Sequence, residues 1–169
     1  ERDYMDKLDI VTDESGNKVV LLPEIIFSNK QNINWDDVED YLGKYVGELI
    51  EIAETRDIIY IGNKFPDEYG GSSYTRKTKG ARAKAKANAA QGIREMVEIA
   101  TDKVYRENHK EKHSEDAHNG WFYYVTRFAI PLYDNEKKTG EYNVYSACLV
   151  VNHAANGKMY LYDVVDIKK

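Results

Sequence analysis

The stretch GWFYYVTRFAIPLY (residues 120–133) decides the fold, because it is dense in the aromatic and β-branched residues that favour β-strands. Two runs of the same type follow it, EYNVYSACLVVN (141–152) and KMYLYDVVDI (158–167). The turn signals DNEKKTG (134–140) and HAANG (153–157) separate the three runs at hairpin length. The last 50 residues therefore predict an antiparallel β-meander.

Helical segments precede this meander. Asn34 is a typical N-cap for WDDVEDYLGKYVG (35–47), whose first turn is acidic and whose apolar residues recur at helical spacing. KGARAKAKANAAQ (79–91) is rich in strong helix formers, and IREMVEIAT (93–101) predicts a second short helix after Gly92. Helices followed by a meander predict an α+β fold in which N-terminal helices pack on the C-terminal antiparallel β-meander. In it we expect Trp121 and Leu161 to be buried.

The connections between these elements differ in character. ELIEIAE (48–54) and DIIYIG (57–62) are strand-like runs joined by a short polar turn. NKFPDEYGGSSYT (63–75) is typical of a loop because it contains Pro66 and two adjacent glycines. The polar residues 102–120 predict a helix end or a long surface connection.

The length of 169 residues fits a single domain. We expect residues 1–28 to form an N-terminal arm or short strands and residues 29–169 to form the core. The sequence opens on Glu1, so we expect the domain to be excised from a longer protein. No apolar stretch approaches the roughly 20 residues that span a bilayer, so no membrane partner is expected.

Charge is unevenly distributed along the chain. The formal net charge is -5, yet residues 1–60 hold 15 acidic and six basic residues, and residues 76–86 hold six basic and no acidic ones. This asymmetry predicts one cationic surface that faces an anionic partner, RNA or another nucleic acid. The alternative is an ordinary solvated helix whose charges supply only solubility. The predicted contacts are Arg76, Lys77, Lys79, Arg82, Lys84 and Lys86.

Three histidines lie within HKEKHSEDAH (109–118). General acid–base chemistry is one interpretation, in which Lys112 beside His113 holds an anion. A zinc site formed by His109, His113 and a third ligand, His118 or Asp116, is an alternative, although the spacing matches no metallohydrolase pattern. A solvated polar connection is the third interpretation. We predict no metal and no cofactor.

Polar residues also interrupt the predicted strands. Regular alternation places Arg127 on the face of its strand that carries Trp121, Tyr123 and Val125. An arginine on an aromatic-lined sheet face either extends to solvent or receives a phosphate or a base. The 14 tyrosines favour a wet, aromatic binding surface, and the alternative is ordinary sheet packing with tyrosine hydroxyls at the rim.

Five stretches together resemble a known group of domains. They are IGNKFPDEYGGSSYT (61–75), KGARAKAKANAAQG (79–92), KEKHSEDAHNGW (110–121), YVTRFAIPL (124–132) and GKMYLYDVVDIKK (157–169). They resemble polyvalent-protein domains of phages and conjugative elements, which are grouped with the barnase/EndoU/colicin/RelE-like nuclease superfamily. The resemblance spans residues 24–169 and implies helices followed by a four-stranded antiparallel meander. It implies an active site at Lys112, His113, Arg127, His153 and Tyr160.

The function implied is a toxin or effector domain that cleaves RNA without a metal. His113 would take the proton from a ribose 2′-hydroxyl, Arg127 and Lys112 would stabilise the phosphoryl charge, and His153 or His118 would protonate the leaving 5′-oxygen. The main alternative is a non-catalytic module that binds nucleic acid or a host protein, for example to blunt host defence. A transferase is a distant third, because no Gly-rich cofactor loop supports it.

The resemblance also sets expectations for place and partners. We expect the domain to act in the cytoplasm of a bacterial host cell, delivered by a phage or mobile element. An immunity protein or a host protein is the expected protein partner, beside RNA.

Overall fold

The computed structural model describes residues 7–28, 32–107 and 119–169. Its strands are β1 Ile10–Thr12, β2 Lys18–Leu21, β3 Leu49–Glu51, β4 Ile58–Tyr60, β5 Thr101–Arg106, β6 Trp121–Asp134, β7 Lys137–His153 and β8 Met159–Lys168. Its helices are α1 Trp35–Leu42, α2 Phe65–Gly71, α3 Ser73–Lys77, α4 Gly80–Ala89 and α5 Ile93–Glu98, with 3-10 turns at Gly43–Tyr45 and Ala90–Gly92.

The three long C-terminal strands form the centre of the sheet. β6 pairs antiparallel with β7, and β7 pairs antiparallel with β8. The predicted meander is therefore confirmed, and both residues expected inside it are buried, with 8% of Trp121 and 2% of Leu161 exposed. The register shifts between Val150 and Val151 of β7, which leaves Tyr162 as an extra residue on β8.

Short N-terminal strands extend this meander on both sides. β2 runs parallel to β6, with Val20 opposite Phe128, and β4 runs parallel to β8, with Ile59 opposite Met159. The strand order is β1-β2-β6-β7-β8-β4-β3, and β5 also pairs with β6. The sheet is thus mixed, and the predicted antiparallel meander accounts for three of its eight strands. Helices and a mixed sheet in one chain agree with the predicted α+β class.

β5 corrects one prediction. Residues 102–120 were expected to form a helix end or a surface connection, but the structure places residues 101–106 in a strand antiparallel to β6. Most of this strand is exposed, so its sequence lacks the apolar alternation by which a half-buried strand is recognised. The strand is instead stabilised by its pairing with β6, a tertiary contact that the local sequence does not reveal.

The start of α1 follows the predicted capping pattern. The Asn34 side-chain oxygen accepts hydrogen bonds from the backbone N–H groups of Asp36 and Asp37, at 3.1 and 3.4 Å. Val38 and Leu42 are fully buried on the inner face of the helix. The helical stretch ends before Gly47, whose φ of +95° is a conformation that glycine adopts readily.

The loop predicted at residues 63–75 is wrong, because α2 and α3 occupy most of it. Pro66 lies in the first turn of α2, where its missing N–H removes no helical hydrogen bond. Ser72 caps α3 through its hydroxyl oxygen, which accepts from the Thr75 N–H at 3.2 Å. Gly70 packs directly against the Glu39 side chain, so the absence of a Cβ permits this close contact between α2 and α1.

Helix α5 and the sheet share one hydrophobic core. The residues expected to face inward, Ile93, Met96, Val97 and Ala100, are all fully buried, which confirms that prediction. The Thr126 hydroxyl of β6 donates to the Met96 carbonyl at 2.7 Å, a bond that fixes the helix over the strand. Among the described residues, no helix is long and apolar enough to cross a membrane.

Candidate nucleic-acid interface

The basic segment is divided between two helices rather than carried by one. α3 ends at Lys77 and α4 begins at Gly80, whose φ of +63° turns the chain between them. Lys79 occupies the N-cap position of α4. Because of this turn, cations from both helices can line one concave surface. Four of the predicted contacts are exposed, namely Arg76, Lys77, Lys79 and Arg82. Lys84 is half-buried.

A cavity of about 400 Å³ lies against this turn. Its lining includes Ile33, Trp35, Arg76, Thr78, Lys79 and Lys84, and we call it the basic groove. The three cations form no ion pair with any acidic side chain in the part of the chain that the structure describes. Their charge is therefore available to an anion that enters the groove.

Trp35 brings an aromatic ring to the basic groove. It is the first residue of α1, half-buried, and packs partly against the hydrophobic core. The helical spacing of Trp35, Val38, Leu42 and Tyr45 predicts only that Trp35 belongs to the apolar face of the helix. Its position at the start of the helix could have indicated a second role, because a residue of the first turn can contact both the core and the neighbouring surface.

Lys86 corrects the predicted set of nucleic-acid contacts. It is fully buried, so its ammonium cannot meet a ligand at the surface. Lys86 Nζ lies 2.6 Å from Asp163 Oδ1 and 2.6 Å from Thr75 Oγ1. Alanines and cations alternate around α4, so the sequence of the helix does not indicate which lysine is buried. Lys86 is the lysine that meets the carboxylate of Asp163 on β8.

The environment of Lys86 is unusually complete for a buried cation. Its ammonium also lies over the rings of Tyr69 and Tyr74, 4.6 and 5.0 Å from their centroids. Burial lowers the pKa of Lys86 and raises the pKa of Asp163, while the attraction between the two charges opposes both shifts. The pair joins α4 to β8.

The three predicted catalytic residues that the structure describes, Arg127, His153 and Tyr160, do not lie in one cleft. Arg127 pairs with Ser146, whereas Tyr160 pairs with Asn152, six residues further along β7. At about 3.3 Å per residue, roughly 20 Å of strand separates them. Arg127 lines a different cavity, of about 370 Å³, where Lys18 is a second cation and Glu54 and Glu98 are the acidic residues, so the formal charges of its lining cancel.

His153 lies near Tyr160 in register but faces the other side of the sheet. His153 pairs with Met159, and its ring packs on Phe122 with centroids 5.5 Å apart. Tyr160 instead packs on Tyr60, at 5.6 Å. The described members of the predicted active site therefore occupy three separate environments.

The other predicted catalytic residues, Lys112 and His113, lie outside the described residues. The same holds for the alternative zinc ligands His109, Asp116 and His118. Within residues 7–28, 32–107 and 119–169, no group of three histidine, cysteine or acidic side chains is placed to hold a metal ion.

Comparison with protein-family models, with curated proteins and with solved structures finds no match for this chain. A functional assignment must therefore rest on the geometry and charge of its own residues. The basic groove is the surface where the predicted contacts and an aromatic ring are found together.

Proposed function

We propose that this protein binds single-stranded RNA through the basic groove. The observation that carries the proposal is the half-buried ring of Trp35 in a cavity lined by Arg76, Lys79 and Lys84. Proteins that bind single strands combine a cationic groove for the phosphate backbone with aromatic rings on which bases stack. The volume of about 400 Å³ lies within the roughly 300–1,000 Å³ typical of ligand sites.

A single strand suits this geometry better than a duplex. A base stacked inside a duplex cannot reach an indole that lies within a groove, whereas an unpaired base can be turned out to meet it. Asn32 and Thr78 also line the groove and offer hydrogen-bonding groups to a ribose 2′-hydroxyl. A hydrogen bond from either residue to the 2′-hydroxyl would favour RNA over DNA.

The remaining charge supports a single mode of binding. Residues 1–60 hold nine more acidic than basic residues, a net negative charge that disfavours unspecific binding of a phosphate backbone. The cations of the groove, which form no ion pair with a described acidic side chain, attract it. The charge pattern thus directs an RNA strand to the groove and away from other surfaces.

Replacing Trp35 by leucine is expected to weaken RNA binding by about 5- to 150-fold, the range that corresponds to a stacking contribution of roughly 1–3 kcal/mol. Leucine keeps an apolar side chain against the core but offers no ring to a base. Fluorescence anisotropy of a labelled, mixed-sequence decamer measures the affinity. Trp35→Phe should retain most of the binding because it retains a ring.

Tyr142→Leu is the matched control for Trp35→Leu. Tyr142 is an exposed aromatic residue of β7 outside the groove, with 37% of its surface accessible. The same loss of a ring at this position should leave RNA affinity unchanged. Equal RNA affinities of the wild type and Trp35→Leu would show that RNA does not stack on Trp35 and would contradict binding in the groove.

Cleavage of the bound RNA stays a prediction from the sequence. Two of its residues, Lys112 and His113, lie outside the described residues, and Arg127 and Tyr160 line different cavities. Binding is therefore the function that the described geometry supports best. Membership of the nuclease superfamily, with helices packed on a meander, likewise remains a proposal supported by the three antiparallel strands.

Incubation of the wild type with RNA in excess chelator tests the cleavage reaction. Attack by the 2′-hydroxyl needs no metal and leaves 2′,3′-cyclic phosphate ends, so such products are the result expected of a ribonuclease. Loss of activity in chelator would instead favour the alternative zinc site. RNA that is bound but stays intact would identify a binding module.

A further inference from the structure

A second cavity, of about 310 Å³, lies between the start of α2 and the beginning of β8. The residues that matter to its chemistry are Lys64, Phe65, Glu68, Asn152, Tyr160 and Tyr162. We call it the amide cavity, because three asparagines, Asn63, Asn152 and Asn156, contribute to its lining. Tyr160 is its one lining residue with a predicted catalytic role, and the proposed RNA binding does not involve the cavity.

The aromatic walls of the amide cavity are held by neighbouring rings. The Tyr160 ring packs on Tyr60 with centroids 5.6 Å apart. The Tyr162 ring meets Trp121 edge to face, with centroids 5.0 Å apart. These contacts fix two flat side chains at the cavity before any ligand enters, which favours a planar ligand.

Asn152 provides the observation that points to a ligand. Only 7% of this residue is exposed, and its side-chain oxygen is buried without a hydrogen-bond partner among the described residues. An unpaired buried acceptor is unfavourable, and such groups are rare in folded proteins. The terminal torsion of asparagine is broad, so rotation about it can turn the oxygen towards a donor within the cavity.

We propose that the amide cavity binds a nucleobase that carries an exocyclic amino group. Asparagine amides pair with the edges of bases, and the Asn152 oxygen specifically requires a donor. The charged lining residues are one lysine and one glutamate, Lys64 and Glu68, which favours a neutral ring over a phosphate. The proposal is independent of RNA binding by the basic groove.

Adenosine and purine riboside form the matched pair of probes, because they differ only in the exocyclic amino group. Calorimetric titration of the wild type should show adenosine binding at least about 10-fold more tightly, since purine riboside leaves the Asn152 oxygen unpaired. Equal binding of the two, or no binding of adenosine at millimolar concentration, overturns the proposal.

Asn152→Leu separates a ligand-binding role from a structural one. Leucine has a similar volume and no polar atom, so the variant should unfold at the same or a higher urea concentration than the wild type. It should also lose the preference for adenosine over purine riboside. A variant that is clearly less stable would show that the amide is satisfied within the protein and would overturn the proposal.

Asn143→Leu is the control for this substitution. Asn143 lies on the same strand, nine residues before Asn152, and does not line the cavity. The change is chemically identical, and nucleoside binding should stay as in the wild type. Loss of the adenosine preference in Asn143→Leu would attribute the effect to β7 as a whole and would count against the amide cavity.

The base could belong to a free nucleoside or to an RNA strand, and the same titrations distinguish these sources. Trp35→Leu should bind adenosine normally, because it alters the basic groove alone; a loss there would count against an independent site. If saturating adenosine lowers the RNA affinity of the wild type, the cavity takes a base of the bound strand. Unchanged RNA affinity identifies a site for the free nucleoside.

Discussion

Replacing Lys86 by methionine is expected to lower the free energy of unfolding by about 3–5 kcal/mol, the usual cost of removing one partner from a buried ion pair. The Lys86 ammonium is fully buried, 2.6 Å from the Asp163 carboxylate. Methionine has a comparable length and fills the same space without a charge. Asp163 then remains buried without its cation. Urea unfolding followed by circular dichroism measures the loss.

The pH dependence of Lys86→Met provides a second test of the same pair. Burial already raises the pKa of Asp163, and removal of the adjacent ammonium raises that pKa further. The folded variant then binds a proton more tightly than the unfolded chain does, so its stability should increase as the pH falls from 7 towards 5. A loss of stability over this range would contradict the assignment.

The double variant Lys86→Met/Asp163→Leu is the control for both effects. Removing both charges leaves no uncompensated ion, so most of the lost stability should return. The Thr75 hydroxyl still donates to the Tyr69 carbonyl at 2.6 Å and is not left unpaired. If the double variant lost as much stability as Lys86→Met and Asp163→Leu lose in sum, the two charges would not be coupled.

Replacing Arg76, Lys79 and Lys84 together by alanine is expected to weaken RNA binding by about 100-fold or more at 50 mM salt. Each lost phosphate contact lowers the slope of log affinity against log salt by about 0.7 for a single strand, so the slope should change by about 2. Alanine is the best helix former, and Lys84 is the one member inside α4, so the helix should persist. Anisotropy titrations at several salt concentrations measure the slope.

A charge-matched variant controls for the loss of three cations. Lys137, Lys138 and Lys168 are exposed on β7 and β8, outside the groove lining. Their replacement by alanine removes the same charge and should alter the slope far less. Equal slopes for the two triple variants would mean that RNA responds to the overall charge of the protein and not to the groove.

The sequence predicted those parts of the fold whose signal is local. The strands of the meander carry their own β-rich composition and turn residues, and α1 carries its own cap. The prediction for residues 63–75 was wrong because Pro66 and two adjacent glycines are typical of loops. In the structure the proline fits the first turn of α2, and Gly70 packs on Glu39. That contact depends on a helix more than 20 residues earlier, which no local window contains.

The candidate site shows the same division. Composition alone identified the basic segment, and five of its six cations reach the surface at least in part. Lys86 was assigned incorrectly because its partner, Asp163, is 77 residues away in sequence. Trp35 was not recognised as a groove residue because only the turn between α3 and α4 brings the cations to it. Tertiary contacts, rather than residue type, set both outcomes.

The two parallel pairings of the sheet bear on how the protein is made. β2 and β4 find their partners, β6 and β8, about 100 residues later in the chain. When only the N-terminal half has left the ribosome, β2 and β4 can pair only with the short strands β1 and β3, and their other edges have no partner. Closing loops of this length slows folding, so the nascent chain must avoid aggregation until the meander has emerged. The order of synthesis thus makes the C-terminal hairpins the template on which the earlier strands are added.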